Sequence, residues 1–319
     1  MKLITGLGKN HVSSPEEAAR YLNKRKHTDP AIIFVSSDGT QSIGPVNQLW
    51  EIGSITKVFT ALLLAQLHKS NQIAITEPIV SHLPDHLRLP NNFQRITFEN
   101  LATHQSGLPR LPSGMKLLAK DAMSDPYAIF HDERLLQAIQ ETKLKSLPGT
   151  GRPRYSNYGF GLLGYVLERA TGRAFEDLLL EEIAAPLGLN SATFSDEGLR
   201  KGLARGKEVG PWHMGRMAGM GGLRMTATDL SKFLISAQNK DHALAVAFEE
   251  TFKVRYRGKK VALGLAWHYF RDDKIRGHGG ATNGATAEAW TNLKTNSHVV
   301  ILGDGRPATT RTAVSLLSG

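Results

Sequence analysis

Three short groups of side chains in this sequence could carry out chemistry. The first is Ser54-Ile55-Thr56-Lys57. A serine hydroxyl is a weak nucleophile until a neighbouring base takes its proton. If Ser54 opens a helix, the Lys57 amine lies one turn on and on the same face. Gly53 would let the chain turn sharply before Ser54, and a helix N-terminus favours negative charge at a reacting centre. The alternative is a plain capping serine with Lys57 in solvent. Ser113-Gly114-Met115-Lys116 repeats the spacing. Ser54 is preferred because it precedes the most apolar helical stretch, whereas Ser113 follows Pro112 in a segment broken by Pro and Gly.

The second group is Tyr155-Ser156-Asn157, which follows the Pro/Gly loop of residues 148–153. A phenol with an ordinary pKa of about 10 is a poor base unless cations depress it, and Lys57 could supply the cation. Asn157 both donates and accepts hydrogen bonds, which suits a substrate amide. The alternative is a loop tyrosine with the asparagine capping the next helix; Tyr21-Leu22-Asn23 shares the spacing. The third group is His278-Gly279-Gly280, in a glycine-rich stretch whose lack of side chains would admit a ligand backbone to a strand. A glycine-rich turn with a structural histidine is the alternative.

These groups need elements to position them. Ser14-Pro15-Glu16-Glu17 reads as a helix start, with the helix running to about Lys26. Residues 31–35 read as a buried strand, with a hairpin partner over 41–46 after the Ser37-Asp38-Gly39 turn. Residues 58–67 are apolar nearly all round, as in a helix at the centre of a protein. From about 75 to 215 strand signals fade and helical patterns dominate, at 132–142, 158–171 and 174–187. A capped helix is expected over 226–238, a hairpin over 261–278, strands over 286–290 and 297–302, and a closing helix over 309–317. The chain therefore reads as α/β (α+β), an antiparallel sheet flanked by helices with an inserted helical subdomain. One catalytic unit over 1–319 is expected, with residues 1–60 and 216–319 forming the sheet part and 61–215 the mainly helical part.

Composition narrows the classes of function. Of 319 residues, 41 % are hydrophobic and 21 % charged, enough for a sizeable core and unlike a disordered chain. The absence of Cys excludes disulfides, thiolate metal sites and a cysteine nucleophile. The net charge of +10 is read as scattered surface Lys and Arg, since the densest cluster, residues 23–27, sits at a helix end where cations suit the dipole. No nucleic-acid partner is expected. No apolar run reaches the roughly 18 residues of a membrane span. Residues 3–7 are too short an apolar stretch for a secretory leader, so the expectation leans to the cytoplasm, with the periplasm or secretion the alternative where a leader has been removed. Gly159-Phe160-Gly161-Leu162-Leu163-Gly164 matches a dinucleotide fingerprint but follows a loop and not a strand, so helix packing is its expected use. His82 and His86 are separated by Pro84, which argues against a helical zinc pair.

Taken together, the three groups resemble the serine beta-lactamase and penicillin-binding-protein superfamily, most nearly the class C beta-lactamases and the related esterases and D-amino-acid peptidases. Residues 101–109, Leu-Ala-Thr-His-Gln-Ser-Gly-Leu-Pro, are similar to that family's L-x-T-H-x-S-G-L-P stretch. Pro148-Gly149 before Tyr155-Ser156-Asn157-Tyr158-Gly159 resembles its P-G…Y-S-N-x-G segment, with one residue more than the usual spacing. Leu187-Gly188-Leu189, Gly221-Gly222-Leu223 and Thr228-Asp229-Leu230 also fit, so the likeness spans roughly residues 30 to 305. It implies a beta-lactamase/transpeptidase-like fold, Ser54 as the nucleophile of an acyl-enzyme, Lys57 and Tyr155 sharing the general-base work, and Asn157 binding the substrate's acyl-side amide. It implies His278, Gly279, Gly280 and Ala281 along the substrate, with the backbone N–H groups of Ser54 and Ala281 as the oxyanion hole. One such donor is typically worth about 2.7–4 kcal/mol of transition-state stabilisation. No cofactor and no metal are implied.

One departure matters. Beta-lactamases of this superfamily usually carry Lys-Thr/Ser-Gly where this chain has His278-Gly279-Gly280, and a histidine is largely neutral above its ordinary pKa of about 6.5. Arg276 is the nearby candidate to replace that cation. The reading is a serine hydrolase for a small-molecule or peptide ester, amide or lactam, with esterase or peptidase action favoured over potent beta-lactamase action. The alternative is a penicillin-binding or cell-wall-sensing protein that acylates but deacylates slowly. A pseudoenzyme is disfavoured by the full set of Ser54, Lys57, Tyr155 and Asn157. Oligomeric state is not legible.

Overall fold

The apolar runs at the two ends of the chain pair with each other. In a computed structural model of the protein, which describes residues 12–24, 29–113, 115, 125–204, 206–259, 261–270, 273–304 and 309–318, the elements in chain order begin with α1 (Pro15–Lys24), β1 (Ala31–Ser36), β2 (Gly39–Ile43), β3 (Trp50–Glu51) and α2 (Thr56–Lys69). The middle of the chain holds α3 (Phe98–Ala102), α4 (Asp132–Gln140), α5 (Asn157–Thr171), α6 (Phe175–Leu179), β4 (Gly202–Ala204) and β5 (Lys207–Val209). Then follow β6 (Arg224–Met225), α7 (Ala227–Ser236), α8 (Ala245–Phe252), β7 (Tyr256–Arg257), β8 (Ala262–Leu263) and β9 (His268–Phe270). The last are β10 (Ile275–Ala281), β11 (Ala285–Asn292), β12 (Ser297–Asp304) and α9 (Thr309–Leu316).

The main sheet is antiparallel throughout, in the order β2-β1-β12-β11-β10-β9-β8-β7. Successive side chains alternate between its faces. On β1 and β12, Ile32, Val299 and Ile301 join Ala18, Leu22, Ala313 and Leu316 of α1 and α9 on the outer face. Ala31, Ile33, Val300 and Leu302 join the main core, which also holds α2 and α5. Both faces are covered, which is why β12 is buried along its whole length. The mixed architecture expected from sequence is the one observed.

Helix α2 lacks a polar face because it has no solvent side: eleven of its residues, Thr56 to Ala65 and Leu67, are buried. Phe59 stacks on Phe233 of α7 at 4.1 Å between ring centroids. The glycines of α5 serve close packing, as expected: a Cβ on Gly164 would lie 3.1 Å from the Gly219 Cα in the 3-10 turn Gly215–Met220.

Several local expectations are corrected. Residues 174–187 are not one helix; α6 passes into a π turn, Leu180–Ala184, and a 3-10 turn, Ala185–Leu187, where Pro186 denies the helix a backbone donor. The strand expected over 261–270 is a tight hairpin, β8 and β9, closed by the Gly264 N–H on the Trp267 carbonyl. Helix α8 and the β4–β5 hairpin had no clear sequence signal. Residues 25–27 of the basic cluster, together with Gly114 and Lys116 of the second S-x-x-K match, lie outside the described residues.

Candidate active site

Ser54 sits in the 3-10 turn Gly53–Ile55 that leads into α2. It caps nothing: the residue before α2 is Ile55, and no side chain caps the helix. Gly53 makes the turn, with φ of +49°, a conformation that costs glycine little. Lys57, one turn on, places Nζ 3.0 Å from Ser54 Oγ and donates to the Met220 carbonyl at 2.5 Å. The segment carrying Met220 is pinned to α2, since Thr60 Oγ1 donates to Gly219 O and Leu223 N–H donates to Thr56 Oγ1. Lys57 is fully buried and pairs with no carboxylate among the described residues. Burial first, and the Arg110 charge second, hold its amine well below the ordinary lysine range.

Strand β10 closes the site from the other side. A Cβ on Gly280 would lie 2.0 Å from the Ile52 carbonyl oxygen and 3.0 Å from the Ser54 amide nitrogen. A Cβ on Gly53 would lie 2.8 Å from the Ala281 amide nitrogen. The two glycines therefore let two stretches of backbone touch, and the touch brings the amides of Ser54 and Ala281 together. This corrects the expectation for the glycine-rich stretch: at Gly280 it is the protein's own backbone that takes the space. Gly279 faces the opposite side of the sheet, where a Cβ would meet the Glu288 carboxylate at 2.7 Å. Its contribution to the site is its carbonyl, which accepts from His278 Nδ1 at 2.6 Å.

That bond fixes the state of His278. A carbonyl only accepts, so Nδ1 carries the proton, and burial depresses the ring's pKa well below the ordinary value. Nε2 is then an acceptor, buried and without a partner among the described residues. The His268 ring stands 4.8 Å from that of His278 and is likewise kept neutral by burial, with a pKa of about 4. Arg276 shares the inward face of β10 but does not reach the cleft. Its guanidinium lies 3.3 Å from the Phe252 ring centroid and 5.3 Å from that of Trp267.

Tyr155 lies on the third side, its ring centroid 5.1 Å from Lys57 Nζ and 6.2 Å from that of His278. Its phenol is pushed up to about 12 by burial, against a smaller lowering from its hydrogen bond with Ser54. Ser156, and not Asn157, caps α5 by accepting from Gly159 N–H at 2.8 Å. Asn157 is thereby free to turn its side chain to Tyr127 Oη, 3.4 Å away, with Oδ1 buried and unpartnered among the described residues.

Four contributors carried no role in the sequence reading. His104 packs on Tyr155 at 4.6 Å and accepts from Ser156 N–H through Nδ1, so it seats the tyrosine segment. Glu51 joins the two walls of the cleft, accepting from Trp212 N–H and from Thr282 Oγ1. The Met220 carbonyl holds Lys57, and Arg110 stands over the Tyr155 ring at 5.1 Å. His104 lay inside a segment already noted for its pattern; Glu51 and Met220 act through contacts that no local spacing announces.

Comparison with known proteins bears on the family and the fold. The family model described as Beta-lactamase matches residues 23–314. The D-alanyl-D-alanine-carboxypeptidase/endopeptidase AmpH of Escherichia coli (strain K12) is 28% identical over 237 residues, covering 68% of this chain and 60% of AmpH. Teichoic acid D-alanine hydrolase of Staphylococcus aureus is 28% identical over 201 residues, covering 60% of this chain and 46% of that protein. The chain thus spans only about half to three fifths of the length of these curated relatives. A class C beta-lactamase structure superposes with a TM-score of 0.81 at 18% identity, covering 94% of this chain and 93% of that one. The beta-lactamase/D-alanine carboxypeptidase from Pseudomonas syringae gives 0.80 at 19% identity, with 94% and 95% covered. At these identities the structural likeness speaks to the fold.

Proposed function

The chain belongs to the beta-lactamase family, and from that premise we propose that it is a serine hydrolase working through an acyl-enzyme on Ser54. The observation that carries the reading is the Ser54 Oγ–Lys57 Nζ contact of 3.0 Å around a fully buried amine. A neutral amine has a lone pair, and Lys57 takes the hydroxyl proton through it as Oγ attacks the substrate carbonyl. The Ser54 and Ala281 amides receive the negative charge on the carbonyl oxygen. The Tyr155 phenol, protonated at neutral pH, stands beside Ser54, passes its proton to the departing group and regains one from the Lys57 ammonium, which restores Lys57 as a neutral base. Water then repeats the sequence on the ester of Ser54, with the same base taking its proton.

Esterase or peptidase action is favoured over potent beta-lactamase action. His278 is neutral and presents an acceptor where the lactamases carry a cation, and Arg276 is held among aromatic rings. The test is intact-protein mass spectrometry over time, with the wild type and Ser54→Ala each mixed with a chromogenic short-chain ester and, separately, a chromogenic cephalosporin. The expected result is a transient adduct on wild type alone, with faster turnover of the ester. A permanent lactam adduct without ester turnover supports instead a penicillin-binding protein. Equal turnover by Ser54→Ala would overturn the assignment.

A further inference from the structure

The catalytic reading leaves one charge unused. Arg110 is exposed at the mouth of the cleft, its guanidinium carbon 5.1 Å from the Tyr155 ring centroid. Its backbone is rigidly held, because its carbonyl accepts from the N–H groups of both Asn157 and Tyr158 at the start of α5. Stacking on an aromatic face orients the planar fork of donors and leaves its edge open. Its charge bears on Lys57, Tyr155, Tyr127 and His104, so the guanidinium stands within the field of the whole site. It forms no ion pair with a carboxylate among the described residues, whereas Arg173, Arg216, Arg224 and Arg255 all do. The inward positions of β10 offer no competing cation, since His278 is neutral and Arg276 is enclosed.

Resting on the serine hydrolase reading above, we propose that Arg110 is a specificity-determining residue that binds a carboxylate carried by the substrate close to its scissile bond. The preferred substrates are then anionic esters or amides, and the cation that recognises them comes from the loop after α3 and not from β10.

The test compares kcat/KM within two matched pairs, using wild type, Arg110→Gln and Arg110→Lys. N-acetyl-D-alanyl-D-alanine against its C-terminal amide places the carboxylate on the leaving group. Monophenyl adipate against phenyl hexanoate places it on the acyl group. Wild type should prefer the anionic member of at least one pair, and the pair that responds tells which side of the scissile bond Arg110 reads. Arg110→Gln should cut that preference about tenfold or more, as expected for loss of a charge-assisted hydrogen bond. Arg110→Lys should recover part of it. The ratio is the readout, because the Arg110 charge also adds to the lowering of the Lys57 pKa, and its loss alters the rate for both members of a pair. Turnover of the neutral ester with no anionic preference, or a preference untouched by Arg110→Gln, overturns this assignment alone. Failure of all four probes to turn over or to label Ser54 overturns the hydrolase reading and this inference with it.

Discussion

In the proposed mechanism Lys57 is the residue on which the chemistry turns, and its surroundings explain its state. A buried lysine without a carboxylate partner is driven toward the neutral amine, and the Met220 carbonyl satisfies one N–H without supplying a negative charge. Lys57→Arg should therefore lower kcat by about 10²–10⁴, the usual contribution of a general base, since a guanidinium does not give up its proton. Circular dichroism of the variant checks that the loss is not unfolding. The pH profile carries a second signature. kcat/KM should rise with pH as Lys57 loses its proton and hold level until Tyr155 approaches its pKa of about 12. Removing the Arg110 charge removes repulsion of the lysine cation, so in Arg110→Gln the acid limb should move to higher pH. A limb that stays in place would disconnect the lysine from that profile.

The glycines decide how elements meet. At Gly280 a methyl group would enter the Ile52 backbone, and neither strand nor turn can yield without separating the Ser54 and Ala281 amides. Gly280→Ala should lower the Tm, at a cost of about 1–3 kcal/mol for overpacking, and should lower kcat far more than that modest destabilisation explains. Gly151→Ala is the control: its φ is +73° but a Cβ there meets nothing within 4 Å. It should cost some stability and leave kcat close to wild type. If the two variants lose the same fraction of activity, the backbone contact is not part of the site. This scale also divides what was legible in the sequence from what was not. Ser54 with Lys57, the Tyr155 segment and the His278 segment were readable because each is a local spacing, and the continuous apolar run of α2 announced a central helix. The Glu51 link between Trp212 and Thr282, and the use of Gly280 against Ile52, join segments distant in sequence and leave no local pattern. The short strand β7 was unreadable because two residues have no period, and β8 was read as one strand with β9.

Over the whole molecule, buried histidines set the response to acid. His298 on β12 is held neutral by burial, with a pKa of about 4 against 6.5 in an unfolded chain, and His268 is alike. Between those values the unfolded chain binds protons that the folded one does not, so stability is full above about 6.5 and falls as pH drops toward 4. His213 works in the opposite sense, since Asp125 and Asp196 raise its pKa and its contribution fades as pH rises through that value. Its side chain is 56% exposed, and solvent screening keeps it the smaller effect. Tm measured from pH 7.5 to 4 should fall, and His298→Gln, remote from the cleft, should flatten the fall. A profile identical to wild type would mean that His298 does not titrate as its burial dictates.

The contact between Gly53 and Ala281 also has a meaning in time. Ribosomes make Ser54 long before its partner strand β10, and β1 cannot find its neighbour β12 until residues 297–304 have been made. Until β10 is made, the Ser54 amide has no Ala281 amide beside it. A chain broken off before Gly280 keeps Ser54 and Lys57 without the strand that completes the pair of amides. On the proposed mechanism, acylation of Ser54 waits for β10 to dock, so pairing of the sheet acts as an activation step.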